Sequence, residues 1–137
     1  MISIEKLMLK TAILTVSTCI CLILASSVCA FTETQAVKAI MGEARNQGYQ
    51  GMLAVACGIR NRGTLQGVYG LNAKINEPKW VWDMADKAWR ESLTNRIHSG
   101  DHWENIKSFG TPEWVKGMKL VYQYKDHVFY KSNKKAR

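Results

Sequence analysis

Met52, Leu53, Ala54, Val55, Ala56, Cys57 and Ile59 follow one another with almost no polar side chain between them. A helix over Gly51 to Arg62, stopped by Gly63, would carry apolar groups all round and would have to be enclosed by the rest of the fold. The chain is therefore expected to build itself around this segment, and the flanking residues should supply its cover. Thr32 or Thr34 can cap a first helix that runs to about Ala44, with Ala36, Val37, Ile40, Met41 and Ala44 on one arc. Asn46 to Gln50 reads as a turn, and residues 63 to 79 read as a long loop packed through Val68, Tyr69 and Leu71. Loops of that length inside a compact domain commonly carry function. A third helix is expected from near Pro78 to about Ser99, ended by Gly100, with Val81, Met84, Ala85, Ala88, Trp89 and Leu93 as its stripe. Asp101 to Gly110 reads as a polar and aromatic loop and Pro112 to Gly117 as a short helix. Met118 to Tyr124 and His127 to Tyr130 read as two strands about a Lys125-Asp126 turn, a pair not favoured in tight hairpins. Lys131 to Arg137 reads as a basic, frayed end. The resulting fold class is α+β, mainly α, with a small C-terminal antiparallel hairpin or sheet.

Residues 1 to 30 have a different character. Lys6 and Lys10 precede an uncharged apolar run from Thr11 to Ala25, and Ser26 to Ala30 are mostly small. That order is the pattern of a secretory signal peptide, with cleavage expected between Ala30 and Phe31. An uncleaved membrane anchor is the alternative, although the run is short of the roughly 20 residues that cross a bilayer. Removing the leader takes away Cys19, Cys21 and Cys29 and leaves Cys57, so the domain at 31–137 is expected to hold no internal disulfide. Cys57 lies in the apolar stretch, with no His or Lys near it in sequence to lower its pKa, and reads as a small buried residue.

Outside the leader the chain has 17 Lys and Arg against 10 Asp and Glu. Such a balance draws polyanions, and nucleic acid is the usual reading. An exported protein meets anionic envelope polymers and phospholipid surfaces first, so charge alone does not choose the partner.

Among groups that could carry chemistry, His98 and His102 have the spacing of a helical metal pair, but Gly100 interrupts them and no third ligand matches. His102, Trp103 and Asn105 fall near Phe109 and Trp114, a mixture of aromatic and hydrogen-bonding side chains suited to sugar rings, although aromatics in a small domain are as readily core. Glu43 falls at the edge of the first helix's apolar arc, beside Ala39 and Ile40. Glycoside cleavage needs a carboxylic acid kept protonated near neutral pH, and a half-apolar wall disfavours the charged form of a carboxyl group. On spacing alone, a solvated glutamate paired with Arg45 or Lys38 is the simpler reading.

The order Gly42-Glu-Ala-Arg45, Tyr49-Gln-Gly51, Leu53-Ala-Val-Ala56 and Ile59-Arg-Asn-Arg62 resembles the cell wall hydrolase family of spore cortex-lytic enzymes, the SleB type. Asp101-His-Trp-Glu-Asn105 with Trp114, and Asp126-His-Val-Phe-Tyr130, extend the resemblance over most of residues 36 to 131. The loop from Gly63 to Lys79 matches only loosely, best at Tyr69-Gly70. The resemblance implies a lysozyme-like helical domain with a small sheet, exported and acting on peptidoglycan, with Glu43 as the essential acid. Tyr49, Tyr69, His102, Trp103 and Asn105 become candidate cleft residues. The sequence offers no obvious second carboxylate, and in the transglycosylase route implied by the resemblance one residue acts as acid and then as base. No cofactor, metal or nucleic acid is expected, anionic wall polymers are the expected secondary partners, and the domain is expected to be monomeric. A non-catalytic wall-binding protein, or a membrane-anchored accessory of phage lysis, remains open at this point.

Overall fold

The structure is a computed structural model and describes residues 30–133, so the expected leader up to residue 29 and the last four residues of the basic end lie outside the described residues. Helix α1 covers Glu33–Ala44 and starts at Thr32, whose hydroxyl accepts the Gln35 N–H at 3.2 Å while the Gln35 side chain accepts the Thr32 N–H at 2.8 Å. This reciprocal cap satisfies two main-chain donors that the first turn leaves without partners. Helix α2 covers Gly48–Arg62, and every residue from Gly51 to Ile59 is buried. Its apolar circumference is covered by α1, by helix α3 at Lys79–Glu91, and by a small sheet. Gly63, with φ of +73°, ends α2 as expected.

Helix α2 begins at Gly48 instead of Gly51, because its first turn is anchored from outside: the Tyr49 hydroxyl donates to Glu91, and Gln50 Nε2 donates to the Tyr122 hydroxyl at 3.2 Å. Helix α3 stops at Glu91, well short of Ser99. Ser92 is fully buried and its hydroxyl returns to the Trp89 carbonyl at 2.6 Å, while Arg60 of α2 donates to Ser92 Oγ at 2.6 Å and to the Trp89 carbonyl at 2.8 Å. These bonds turn the helix end onto α2. Beyond them the chain runs without helix over the same surface, where Asn61 Nδ2 donates to the carbonyls of His98 at 3.0 Å and Gly100 at 2.9 Å. Leu93, expected in the apolar stripe, is 63% exposed.

The sheet has three antiparallel strands in the order β1-β3-β2, namely β1 at His102–Asn105, β2 at Lys119–Tyr124 and β3 at His127–Lys131. The expected hairpin is β2 and β3, with Lys125 itself at φ +50° in the turn. Strand β1 and the short helix α4 at Ile106–Phe109 replace the loop expected over residues 101 to 110, and a 3-10 turn at Glu113–Val115 replaces the short helix at Pro112 to Gly117. Trp103 pairs with Phe129 and Asn105 with His127, so β1 owes its extended form to β3 and not to its own alternation.

Two close approaches join these parts. A Cβ on Gly42 of α1 would lie 1.9 Å from the carbonyl oxygen of Gly70, in the 3-10 turn Tyr69–Asn72. On Gly58 of α2 a Cβ would lie 2.9 Å from the Trp103 ring. Backbone lies against Gly42, so nothing there can swing aside. Gly42→Ala should therefore destabilise the domain by at least about 2 kcal/mol, since overpacking of this kind costs roughly 1–3 kcal/mol or more. Thermal unfolding checks this, with a fall in Tm of about 4–8 °C per kcal/mol for a domain near this size. An unchanged Tm would contradict the close approach.

Candidate active site

Glu43 stands one residue before the end of α1, half-buried, with both carboxyl oxygens held. Gly70 donates its N–H to Oε1 at 2.7 Å, and the Trp103 indole donates Nε1–H to Oε2 at 3.2 Å. The first bond depends on the Gly42–Gly70 approach and the second on the seat that Gly58 leaves for the indole. The carboxyl group is therefore fixed from two sides by groups on unrelated segments.

Two hollows meet at this residue. One, of about 340 Å³, is walled by Arg62, Val68, His102, Trp103, Trp114 and Met118. The other, of about 540 Å³, is walled by Arg45, Gly70, Asn105, Ser108, Phe109 and His127. Glu43, Tyr69 and Glu104 line both, so the two form one groove with Glu43 at its middle. Aromatic rings stand at either end. The His102 and Trp114 rings lie 5.8 Å apart in the first hollow, Phe109 is 77% exposed in the second, and Tyr69 is 85% exposed between them. Val68 and Leu71 pack as expected, but Tyr69 does not; it faces the groove instead.

Four of the five expected cleft residues thus gather around Glu43: Tyr69, His102, Trp103 and Asn105. Tyr49 does not line either hollow. Its hydroxyl is bound to Glu91 at the end of α3, and Lys87 Nζ lies 5.3 Å from its ring centre. Burial, followed by the hydrogen bond and the charge of Glu91, pushes this hydroxyl up to about 12. Tyr49 therefore fastens α2 to α3. Asn105 divides its duty, since its Oδ1 also caps α4 by accepting the Ser108 N–H at 3.1 Å.

The structure adds residues that residue order alone does not single out. Glu104 brings a second carboxylate into the groove, where none is expected, because its segment reads as a loop with no defined facing. His127 is buried beside Glu43, and its Nδ1 has no hydrogen-bond partner among the described residues. Burial pushes His127 below the ordinary histidine range, against the opposing pull of the Glu43 and Asp126 charges. His98, buried under the sheet with Nε2 2.8 Å from the Ala54 carbonyl, is also lowered by burial, partly offset by that bond. Cys57 is buried and burial pushes its thiol up, which removes it as a nucleophile.

No protein-family model matches the chain. No curated protein matches it either. Among solved structures it is similar to the catalytic domain of the germination-specific lytic transglycosylase SleB from Bacillus anthracis, with a TM-score of 0.51 and 22% identity, over 74% of this chain and 98% of that one.

The two buried histidines fix a pH dependence of stability. In the unfolded chain each takes up a proton near pH 6.5, whereas in the fold each does so only at lower pH. As pH falls below about 6.5 the unfolded state binds protons that the native state does not, so stability declines. Tm should drop between about pH 7 and pH 5, and the drop should be smaller in His127→Gln; a flat profile would contradict the neutral, buried histidines. The architecture that carries these groups is the lysozyme-like, mainly helical α+β fold of the SleB catalytic domain.

Proposed function

We propose that this domain cuts the glycan strands of bacterial peptidoglycan, with Glu43 as the proton donor. The observation that carries the reading is a single carboxyl group held by two N–H donors at the middle of an open groove with aromatic rings on both sides. A glycan laid along the groove would cross Glu43 between two sugars, with rings available for stacking at Trp114, Tyr69 and Phe109. The neighbour of known structure is the catalytic domain of a lytic transglycosylase, which supports peptidoglycan as the substrate class.

The Oε2 oxygen is the less tightly held of the two, through the 3.2 Å indole bond, and is the natural carrier of the proton. Protonation of the glycosidic oxygen turns a poor leaving group into an alcohol while the C1–O bond breaks, with positive charge developing on the sugar. This step is common to hydrolysis and to transglycosylation. The ionised Glu43 then remains beside that charge. In the transglycosylase route the same carboxylate would take the proton from the attacking C6 hydroxyl.

Export through the leader brings the domain to this substrate, and the excess of basic residues favours residence on anionic wall polymers, as a monomer. Purified sacculi provide the test. Glu43→Gln, folded as judged by Tm, should lower muropeptide release by about 10²–10⁴-fold, the range of a lost general acid. Unimpaired release would end the assignment.

A further inference from the structure

We propose that Asp101 fixes the tautomer of His102, so that His102 Nε2 accepts a hydrogen bond from a sugar hydroxyl in the first hollow. The proposal rests on the reading of the groove as a glycan site and concerns how one sugar is held beside Glu43.

Asp101, just before β1, is secured on several sides. Its N–H donates to the Tyr130 carbonyl at 3.0 Å, its Oδ1 accepts the Ser132 N–H at 2.9 Å, and its Oδ2 accepts the Ser132 hydroxyl at 2.6 Å. Burial acts to raise its pKa, but the bonds from Ser132 and His102 outweigh it and hold the carboxyl below its ordinary range. An ionised carboxylate can only accept hydrogen bonds. His102 Nδ1, 2.8 Å from Oδ1, is therefore the donor of that contact. In the neutral ring this leaves Nε2 with a lone pair and no proton.

The ring is held as firmly as its tautomer. His102 pairs with Tyr130 across β1 and β3, and the Trp114 ring lies 5.8 Å from each of theirs, edge-on to Tyr130. Among the described residues Nε2 has no hydrogen-bond partner, and it is not sealed from solvent. The ring borders the hollow that Glu43 and Trp114 also line. An oriented acceptor without a partner thus stands beside an aromatic face that is 40% exposed. A sugar laid with its C–H face on Trp114 carries its hydroxyls around the rim, and one of them can donate to Nε2. A few placed polar groups of this kind fix the orientation of a ligand in a groove. A ring present only for packing would gain nothing from a chosen tautomer, whereas a ligand-binding imidazole is oriented by what its other nitrogen donates to.

Nitrogen NMR of the ring tests this directly. In the native protein at about pH 8, where an ordinary histidine is neutral, His102 Nδ1 should show the resonance of a protonated nitrogen and Nε2 that of a lone-pair nitrogen. Adding a glycan fragment of four sugars to Glu43→Gln, which binds without turnover, should shift Nε2 toward the hydrogen-bonded range and leave Nδ1 protonated. The opposite tautomer would overturn the proposal. So would a fragment that shifts the Trp103 and Trp114 indole signals and leaves Nε2 unmoved, with the reading of the groove intact; a fragment that shifts none of them would remove that reading as well. In native Glu43 protein, His102→Phe, folded by Tm, should raise KM by about three- to tenfold, as for one lost hydrogen bond, with a smaller change in kcat. His102→Gln, which keeps an acceptor oxygen, should recover most of that loss. An unchanged KM in His102→Phe, or no recovery in a folded His102→Gln, would contradict the acceptor role.

Discussion

The approach of Gly42 to Gly70 is the contact on which the site depends. A Cβ on Gly70 would meet the Glu43 nitrogen at 2.7 Å and its Cγ at 2.8 Å, and one on Gly42 would overlap the Gly70 carbonyl. With both side chains absent, a loop backbone reaches the last turn of a helix and its N–H reaches a carboxyl oxygen there. Leu65 and Val68, both buried, hold that loop down and leave Tyr69 projecting over the groove. Packing, hydrogen bonding and exposure at this point are consequences of one pair of glycines.

The opposite wall arises in the same way. Helix α2, enclosed on all sides, gives up a side chain at Gly58, and the Trp103 indole occupies the space and points its N–H at Glu43. Phe129, the cross-strand partner of Trp103, is fully buried in the core with its ring centre 6.2 Å from the indole, so the tryptophan that orients the acid packs where the sheet meets the core. The central helix therefore does more than fill the interior. It sets the distance between the sheet and the end of α1, which is the width of the groove.

Much of this is legible from residue order. The apolar circumference of α2, a threonine cap on α1 at Thr32, one of two candidates, and the Gly63 stop arise from local chemistry, and the β2–β3 hairpin forms about Lys125-Asp126 although that pair is not a favoured turn. Glu43 can be located at the edge of an apolar arc, but not its two donors, which come from residues 27 and 60 positions away. Strand β1 is hidden because His-Trp-Glu-Asn has no alternation of its own and is extended only by pairing with β3. Glu104 is lost with it, since a residue on an unrecognised strand has no predictable facing. The premature end of α3 has the same cause: the apolar period continues through Leu93, while Arg60 and Ser92, 32 positions apart, decide the stop. Tyr49 sits in a matching motif yet serves the α2–α3 junction.

The groove is thus rigid at its centre and exposed at its ends. The acid is oriented by backbone and indole, and rings that can stack on sugars stand at either side. A separate hollow between α1 and α3, lined by Val37, Trp82 and Arg90, has no part in that arrangement. The most direct test is a structure of Glu43→Gln with a bound glycan fragment of four or more sugars. The account predicts sugars on both sides of residue 43, with one glycosidic oxygen at hydrogen-bond distance from its side chain, roughly 2.6–3.2 Å. A glycan seated between α1 and α3, or one that bypasses residue 43, would contradict it.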